Sequence, residues 1–370
     1  MPLRAMQRLG SMTPLGVVTK AAFPIAIDFG ASSMKVLQIA PGDPPSLVAA
    51  GCVETPDDVR EDIGKRLAFQ LGALSKLLRG IGFRGRRAVC AIPAEQTYCK
   101  ALEFARGEGS LTQLVASTMA AQLERDASSM VFRHFEVGES GKGGKTEVLC
   151  LAAGRDLVER MMVGLKGAKL DVVGVHCEFP AMLRAFDYLN RRGTDDTMDT
   201  LVLDLGAETT KAVIARGMDM VFARCIPFGG RTLDEALDRQ TGCGRSRARE
   251  RRLAAEDLAG GSASGGEVRR GVNLSETLEI LTDEVQMGLR YHEGAFPGRR
   301  VGRAIFVGGE ARHMGLCRHI ARTLKLPAQV ADPLARVART GKEDVIGVDL
   351  SHPQPGWALA VGMSLCPTDL

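Results

Sequence analysis

Residues 25–35 read Ile-Ala-Ile-Asp28-Phe-Gly30-Ala-Ser32-Ser33-Met-Lys35, and residues 201–211 read Leu-Val-Leu-Asp204-Leu-Gly206-Ala-Glu-Thr209-Thr210-Lys211. Each is an apolar run of strand length, then Asp-x-Gly, small hydroxyl residues, a lysine and more apolar strand. Such a turn suits phosphate and Mg²⁺. The Asp at the strand end holds the metal's water shell, Gly lets backbone N–H groups approach phosphate oxygens, and Ser or Thr adds donors. Two copies, one in each half of the chain, predict two lobes facing one nucleotide. Ser32, Ser33, Thr209 and Thr210 are the candidate cradle; Lys35 and Lys211 either reach a phosphate or face solvent. Glu208 is expected to point away from the site.

Two further glycine pairs extend the pattern. Gly229-Gly230 precedes a helical stretch at 231–240, so its free N–H groups and helix dipole are expected to face phosphate. Ala304–Val307 reads as a buried strand ending in Gly308-Gly309-Glu310-Ala311.

These turns need strands and helices to hold them. After Lys35 the strand continues to Ala40, turns at Pro41–Pro45 and returns over Leu47–Val53. Asp57-Asp58 is expected to cap a helix over 59–80 with Ile63, Leu67, Leu71, Leu74 and Leu78 on one face. Ala88–Ile92 is a strand stopped by Pro93. Residues 94–145 read as a separate small α+β unit, with helix Leu111–Leu123, strand Val131–Val137 and a Gly/Lys loop at 139–145. Val148–Ala152, helix 155–168 and Val172–Val175 read as a β-α-β run of a parallel sheet. Pro180 is expected to start a helix ending near Leu189, and polar Asn190–Thr200 marks a lobe boundary.

After strand Met220–Pro227, residues 241–272 read as the least structured stretch. There, Arg245–Arg252 is a basic run, read as a solvated helix face in preference to an anion-binding surface, and Gly260–Gly266 is linker-like. Leu274–Tyr291 is an amphipathic helix, and Trp357–Leu365 is an apolar one containing Gly362.

At 370 residues the chain has room for two or three domains or one bilobed unit. Its 45% hydrophobic and 25% charged fractions are those of an ordinary globular protein. A net charge of +4 and 5% aromatic residues argue against nucleic acid. Nine cysteines show no C-x-x-C spacing and mostly sit in apolar runs, which reads as reduced thiols rather than zinc. No run of 18 apolar residues spans a membrane. Met1–Ala22 lacks a compact apolar segment and reads as a disordered tail, in preference to a weak membrane-surface helix, and not as a signal peptide.

The order of these elements resembles the actin-like ATPases, which include Hsp70, the sugar kinases and FtsA, and most closely the PilM family of type IV pilus assembly. The resemblance rests on both Asp-x-Gly turns, on Phe222-Ala-Arg-Cys-Ile-Pro-Phe-Gly-Gly230, on the adenosine-type turn Val307–Ala311 and on Val175–Ala185, and covers about residues 24–365. It implies an α/β, actin-like (ribonuclease H-like) duplicated two-lobe fold with a small inserted α+β subdomain. The implied division is 1–23 tail, 24–93 first lobe, 94–145 insert, 146–190 first lobe continued, 199–240 second lobe, 241–298 helical and basic subdomain, 299–350 second lobe with the adenosine turn, and 351–370 a C-terminal helix returning to the first lobe.

By that resemblance, ATP·Mg²⁺ binds between the lobes, with the metal's waters on Asp28 and Asp204. The nucleotide lies on Gly30, Ser32, Ser33, Lys35, Gly206, Thr209, Thr210, Gly229, Gly230, Gly308, Gly309 and Glu310. The implied partner is the cytoplasmic N-terminal peptide of a PilN-like inner-membrane protein, gripped beside the insert, and the implied location is cytoplasmic at the inner membrane. Turnover would be slow at most. An FtsA-like filament anchor would end in a basic amphipathic helix, and a small-molecule kinase would need a catalytic Asp in a polar cleft of the first lobe; neither is evident. Two departures stand out. Glu310 replaces a small residue of the adenosine turn, and the family's acidic and basic pair expected between 241 and 260 is not recognisable.

Overall fold

The apolar runs around each Asp-x-Gly turn fold as antiparallel hairpins. In the first lobe these are β1 (Ile25–Phe29), β2 (Ser33–Ala40) and β3 (Ser46–Glu54), followed by the short helix α1 (Asp57–Arg60), the long helix α2 (Ile63–Gly80) and strand β4 (Arg87–Ile92). Next come β5 (Tyr98–Ala105), α3 (Leu111–Gln122), β6 (Met130–Glu139) and β7 (Lys145–Gly154), then α4 (Arg155–Gly167), β8 (Asp171–Cys177) and α5 (Glu178–Arg184). The second lobe carries β9 (Asp199–Leu205), β10 (Thr210–Arg216), β11 (Asp219–Ile226), α6 (Gly230–Thr241), α7 (Arg245–Ala254), α8 (Ser275–Ala295), β12 (Val301–Val307), α9 (Met314–Leu324) and β13 (Ala328–Val330). Strand β14 (Asp344–Ile346) and helix α10 (Ala358–Ser364) close the chain. This computed structural model describes residues 21–105, 109–139, 145–187, 198–259 and 272–368. The predicted N-terminal tail to residue 20, most of the 139–145 loop, the helix end near Leu189, most of the polar boundary from Asn190 and the Gly260–Gly266 linker lie outside the described residues.

The two lobes repeat one topology. The first sheet runs β14-β3-β2-β1-β4-β8 and the second β11-β10-β9-β12-β13. In both, the hairpin strands pair antiparallel and the two following strands add parallel. The duplicated motif therefore sits at the same place in two equivalent sheets, at the carboxyl end of the central strand (β1 or β9). That is where open α/β sheets take ligands. Between the lobes a central core joins Leu37 and Ile39 of β2, Phe179 and Met182 of α5, Val202 of β9, Val213 of β10, and Trp357 and Val361 at the C-terminus. Helix α10 crosses α5 at Gly362, where any Cβ would strike the Ala181 carbonyl.

Several expectations need correction. Asp57 and Asp58 open α1, while Asp62 caps α2 by accepting from Lys65 N at 3.0 Å. Helix α5 begins at Glu178, ahead of Pro180. The predicted β-α-β run does not form: β7 lies between β5 and β6, antiparallel to both, in a separate three-stranded sheet. It resembled an interior parallel strand because both its faces are covered. Val148, Cys150 and Ala152 pack on Val115 and Met119 of α3, whereas Leu149 and Leu151 join the central core. The insert therefore runs past residue 145 through β7, and the parallel partner of β8 is β4.

The chain also returns to the first lobe before residue 350, because β14 pairs parallel with β3 and Leu47 N donates to Ala338 O at 2.9 Å. Three residues among polar neighbours leave no periodic signal. Residues 245–254 are a helix, as the solvated-face reading of the basic run has it, but the helix is not solvated all round: Ala248 and Arg252, one turn apart, are both fully buried.

Candidate functional site

The two turns face each other across a cleft of about 1140 Å³ between the lobes. Asp28, Gly30, Ser32, Ser33 and Lys35 line it from the first lobe. Asp204, Gly206, Thr209, Lys211, Gly308, Gly309 and Glu310 line it from the second. Glu208 also lines it, contrary to expectation, with Oε2 3.4 Å from the Arg231 guanidinium and Oε1 buried without a hydrogen-bond partner. Burial pushes the Glu208 carboxyl above the usual range against the pull of Arg231, Arg66 and Arg60.

Each turn is tight enough to require glycine. A Cβ at Gly30 would lie 2.9 Å from the Ser33 carbonyl oxygen, and one at Gly206 2.7 Å from that of Thr209. The first turn is propped by a side chain: Gln70 Nε2 donates to Gly30 O at 2.8 Å and to Thr55 Oγ1 at 2.9 Å, while Thr55 N donates to Ser32 O. The second is propped by backbone. Gly206 N donates to Thr209 O at 3.0 Å, Gly230 N to Gly206 O at 3.0 Å and Arg231 N to Ala207 O at 2.8 Å.

That backing corrects the reading of Gly229-Gly230. Neither residue lines the cleft, and their N–H groups are spent on Thr232 Oγ1 and Gly206 O rather than aimed at phosphate. The glycines let α6 press against the turn, since a Cβ on Gly230 would strike the Glu310 carboxylate. Thr210 is also outside the cleft, its hydroxyl donating to Phe228 O at 2.8 Å.

Both lysines line the cleft, and each is paired with the aspartate of its own motif. Strand register sets Lys35 directly opposite Asp28 and Lys211 directly opposite Asp204. Lys35 Nζ lies 3.5 Å from Asp28 Oδ2. Lys211 Nζ lies 2.7 Å from Asp204 Oδ2 and 3.0 Å from Glu178 Oε2. Burial draws the Lys211 ammonium down, but Asp204, Glu178 and Asp28 together hold it well above the usual lysine range, so it is charged. Glu178, at the start of α5, also accepts from Ala94 N at 3.0 Å, and burial raises its carboxyl against the pull of Lys211. Sequence reading missed Glu178. It lies far from either turn in the chain, and only the return of α5 to the cleft brings it there.

At the far end, Gly308 takes φ +94°, and its N–H donates to Pro355 O at 3.0 Å, tying the adenosine-type turn to the segment before α10. Glu310 Oε2 accepts from Arg252 Nη1 at 2.7 Å, and Arg252 Nε donates to Asp234 Oδ1 at 2.6 Å. An acid–base cluster thus joins α6, α7 and this turn, hidden in the basic run as its one fully buried arginine. Across the cleft mouth, Glu61 of the first lobe pairs with Arg245 at 2.6 Å and Arg231 at 3.3 Å of the second. Among the described residues no helix is long and apolar enough to cross a membrane.

Comparison with solved structures finds the same fold. A chain of the PilM-PilN type IV pilus biogenesis complex superposes with a TM-score of 0.74 at 20% identity, over 94% of this chain and 98% of that one. EutJ, the ethanolamine utilization protein of Carboxydothermus hydrogenoformans, gives a TM-score of 0.48 at 14% identity, over 93% of this chain and 89% of that one. MreB5 of Spiroplasma citri bound to ADP gives 0.46 at 12% identity, over 93% and 95%. The duplicated lobes and inserted subdomain are the fold of the first of these, the chain from the PilM-PilN complex. Residues 26–367, from β1 through α10, match the family described as type IV pilus assembly protein PilM, and the chain belongs to that family.

Proposed function

We propose that this chain is an ATP-binding scaffold of a type IV pilus, or related type II secretion, inner-membrane assembly complex. Its second ligand is the cytoplasmic N-terminal peptide of a PilN-like membrane protein. The observation that carries the nucleotide reading is the pair of Asp-x-Gly turns, at equivalent places in two repeated sheets, opening on one cleft. The pilus reading rests on family membership, and the peptide reading on the matched complex, which contains PilN.

A nucleotide that touches both turns favours the closed arrangement of the lobes by mass action. The insert would feel that closure, because it is fastened to the second lobe. Tyr291 of α8 donates to Glu147 at 2.7 Å, and Cys99 of β5 lies 3.0 Å from the Ala223 carbonyl. A peptide seated beside the insert is then coupled to nucleotide through one bistable cleft.

Turnover is slow at most in this reading. Phosphoryl transfer to water needs a group that aligns the attacking water; Glu178 is occupied by Lys211 and Ala94 N, and Glu208, whose Oε2 lies 3.4 Å from Arg231, is the cleft carboxylate that the phosphate-release arm tests for that role. The test is titration of the purified protein with Mg-ATP, then phosphate release from the same sample, then titration with the partner's N-terminal peptide with and without ATP. Tight ATP binding, negligible release and tighter peptide binding with ATP are expected. Rapid release would replace the scaffold with an enzyme, and peptide affinity indifferent to ATP would uncouple the two sites.

A further inference from the structure

The nucleotide reading assigns the two motif aspartates to the water shell of a magnesium ion. On the second lobe one oxygen of each carboxylate is already taken. Lys211 Nζ sits between Asp204 Oδ2, at 2.7 Å, and Glu178 Oε2, at 3.0 Å. The remaining Asp204 oxygen, Oδ1, packs against the Gly308 turn, where a Cβ on Gly308 would strike it. Glu178 Oε2 also accepts from Ala94 N. Magnesium keeps several waters in a strict octahedron, and those waters need carboxylate oxygens to hold them. Here an ammonium fills the space between the carboxylates, and a divalent ion beside it meets like-charge repulsion in a poorly solvated cleft. Among the described residues no group of three or more acidic, His or Cys side chains is placed to hold a metal ion. With Lys211 in place the carboxylates of the second turn do not fit a resident magnesium, and Asp28 on the facing turn carries its own lysine at 3.5 Å.

The lysines fit a phosphate directly. An ammonium has three N–H donors. Asp204 and Glu178 engage two of those on Lys211, which leaves a third, and Lys211 lines the cleft. Lys35 repeats the arrangement on the opposite turn with a longer, 3.5 Å contact to Asp28, which holds it less tightly and lets it swing toward a second phosphate oxygen. Both lysines stand seven residues after their aspartate, so hairpin register places a cation on each turn.

We propose that Lys211, with Lys35 on the facing turn, is the built-in cation of the phosphate site, and that this chain holds its nucleotide without a divalent metal ion. This rests on the nucleotide reading above. It deepens the scaffold assignment, because phosphoryl transfer draws on a metal to neutralise the transferred group, whereas retention needs only fixed donors and charge.

The test is calorimetric titration of the full chain with ATP in excess EDTA and again in excess magnesium chloride. Dissociation constants within about threefold of each other are expected. A loss of about tenfold or more in EDTA overturns this inference and leaves the nucleotide site standing; no binding in either buffer overturns both. In Lys211→Met, ATP affinity in EDTA is expected to fall about tenfold or more and to recover in part with magnesium, since Asp204 and Glu178 then become available to the ion's waters. Should that variant fail to fold by circular dichroism, Lys35→Met carries the same test with an expected loss of about threefold in EDTA. A Lys35→Met protein that binds ATP in EDTA as the wild type does would remove Lys35 from the site.

Discussion

The two Asp-x-Gly turns share a motif, a register and a place in their sheets, yet they are held differently. In the first, Lys35 stands off from Asp28 and the turn leans on the Gln70 side chain and a single main-chain hydrogen bond, from Thr55 N to Ser32 O. In the second, Lys211 is locked between Asp204 and Glu178, and the start of α6 backs the turn through two main-chain hydrogen bonds. Glu178 belongs to α5, at the base of the first lobe, so the Lys211 contact also crosses between lobes. The second turn is a fixed anchor and the first an adjustable jaw. Duplication supplied the geometry, and the residues outside the motif made the two copies unequal.

The sharpest way to break that contrast is to remove each lysine. Lys211→Met leaves Asp204 and Glu178 buried without their cation, and should cost about 3–5 kcal/mol in urea unfolding at neutral pH. Lys35→Met removes one contact at 3.5 Å, from a pair about as buried as Lys211–Asp204, and should cost less, about 1–3 kcal/mol. Equal losses would mean that the turns are equivalent after all.

The backing of each turn gives a smaller, parallel test. Gly230→Ala drives a methyl group into the Glu310 carboxylate and must loosen the Arg252 contact, at an expected cost of about 1–3 kcal/mol. Gln70→Ala removes the bonds to Gly30 O and Thr55 Oγ1, at an expected cost of about 1 kcal/mol. ATP affinity is expected to fall in both. A larger loss of affinity from Gln70→Ala than from Gly230→Ala would reverse the roles of anchor and jaw.

The motif itself was legible because its signals are local: an apolar strand, Asp-x-Gly and hydroxyls in consecutive positions. Its supports were not, because they come from elsewhere in the chain. The lysines carried a readable clue. A common spacing of seven residues across a short turn puts Asp28 beside Lys35 and Asp204 beside Lys211, so their pairing follows from hairpin register. Arg252 carried another, since Ala248 one turn earlier marks a buried face within an otherwise charged helix. Gly229-Gly230 misled because a helix N-terminus looks the same in sequence whether its amides meet a phosphate or the carbonyls of a neighbouring turn. β7 misled because an antiparallel strand covered on both faces loses the alternation that would distinguish it from a parallel one. Glu178 had no local signal at all.

Glu178 allows the finest cut between anchor and jaw, because it asks whether the lock on Lys211 needs one carboxylate charge or two. Burial raises the Glu178 carboxyl above its ordinary 4.5 in the folded chain. A raised acid binds protons more tightly in the folded than in the unfolded state. Its contribution is therefore fully present below pH 4.5 and declines as pH rises through the window above it. Glu178→Gln fixes the neutral form, still able to accept from Ala94 N and Lys211 through its amide oxygen. The variant should match the wild type below pH 4.5 and exceed it at neutral pH by about 1 kcal/mol or less, as expected when the burial cost of a charge outweighs its pairing. Urea unfolding across that window reads the difference directly. A Glu178→Gln protein less stable than wild type at neutral pH would show that both charges are needed, making the anchor a true ion triad rather than a Lys211–Asp204 pair with a polar neighbour.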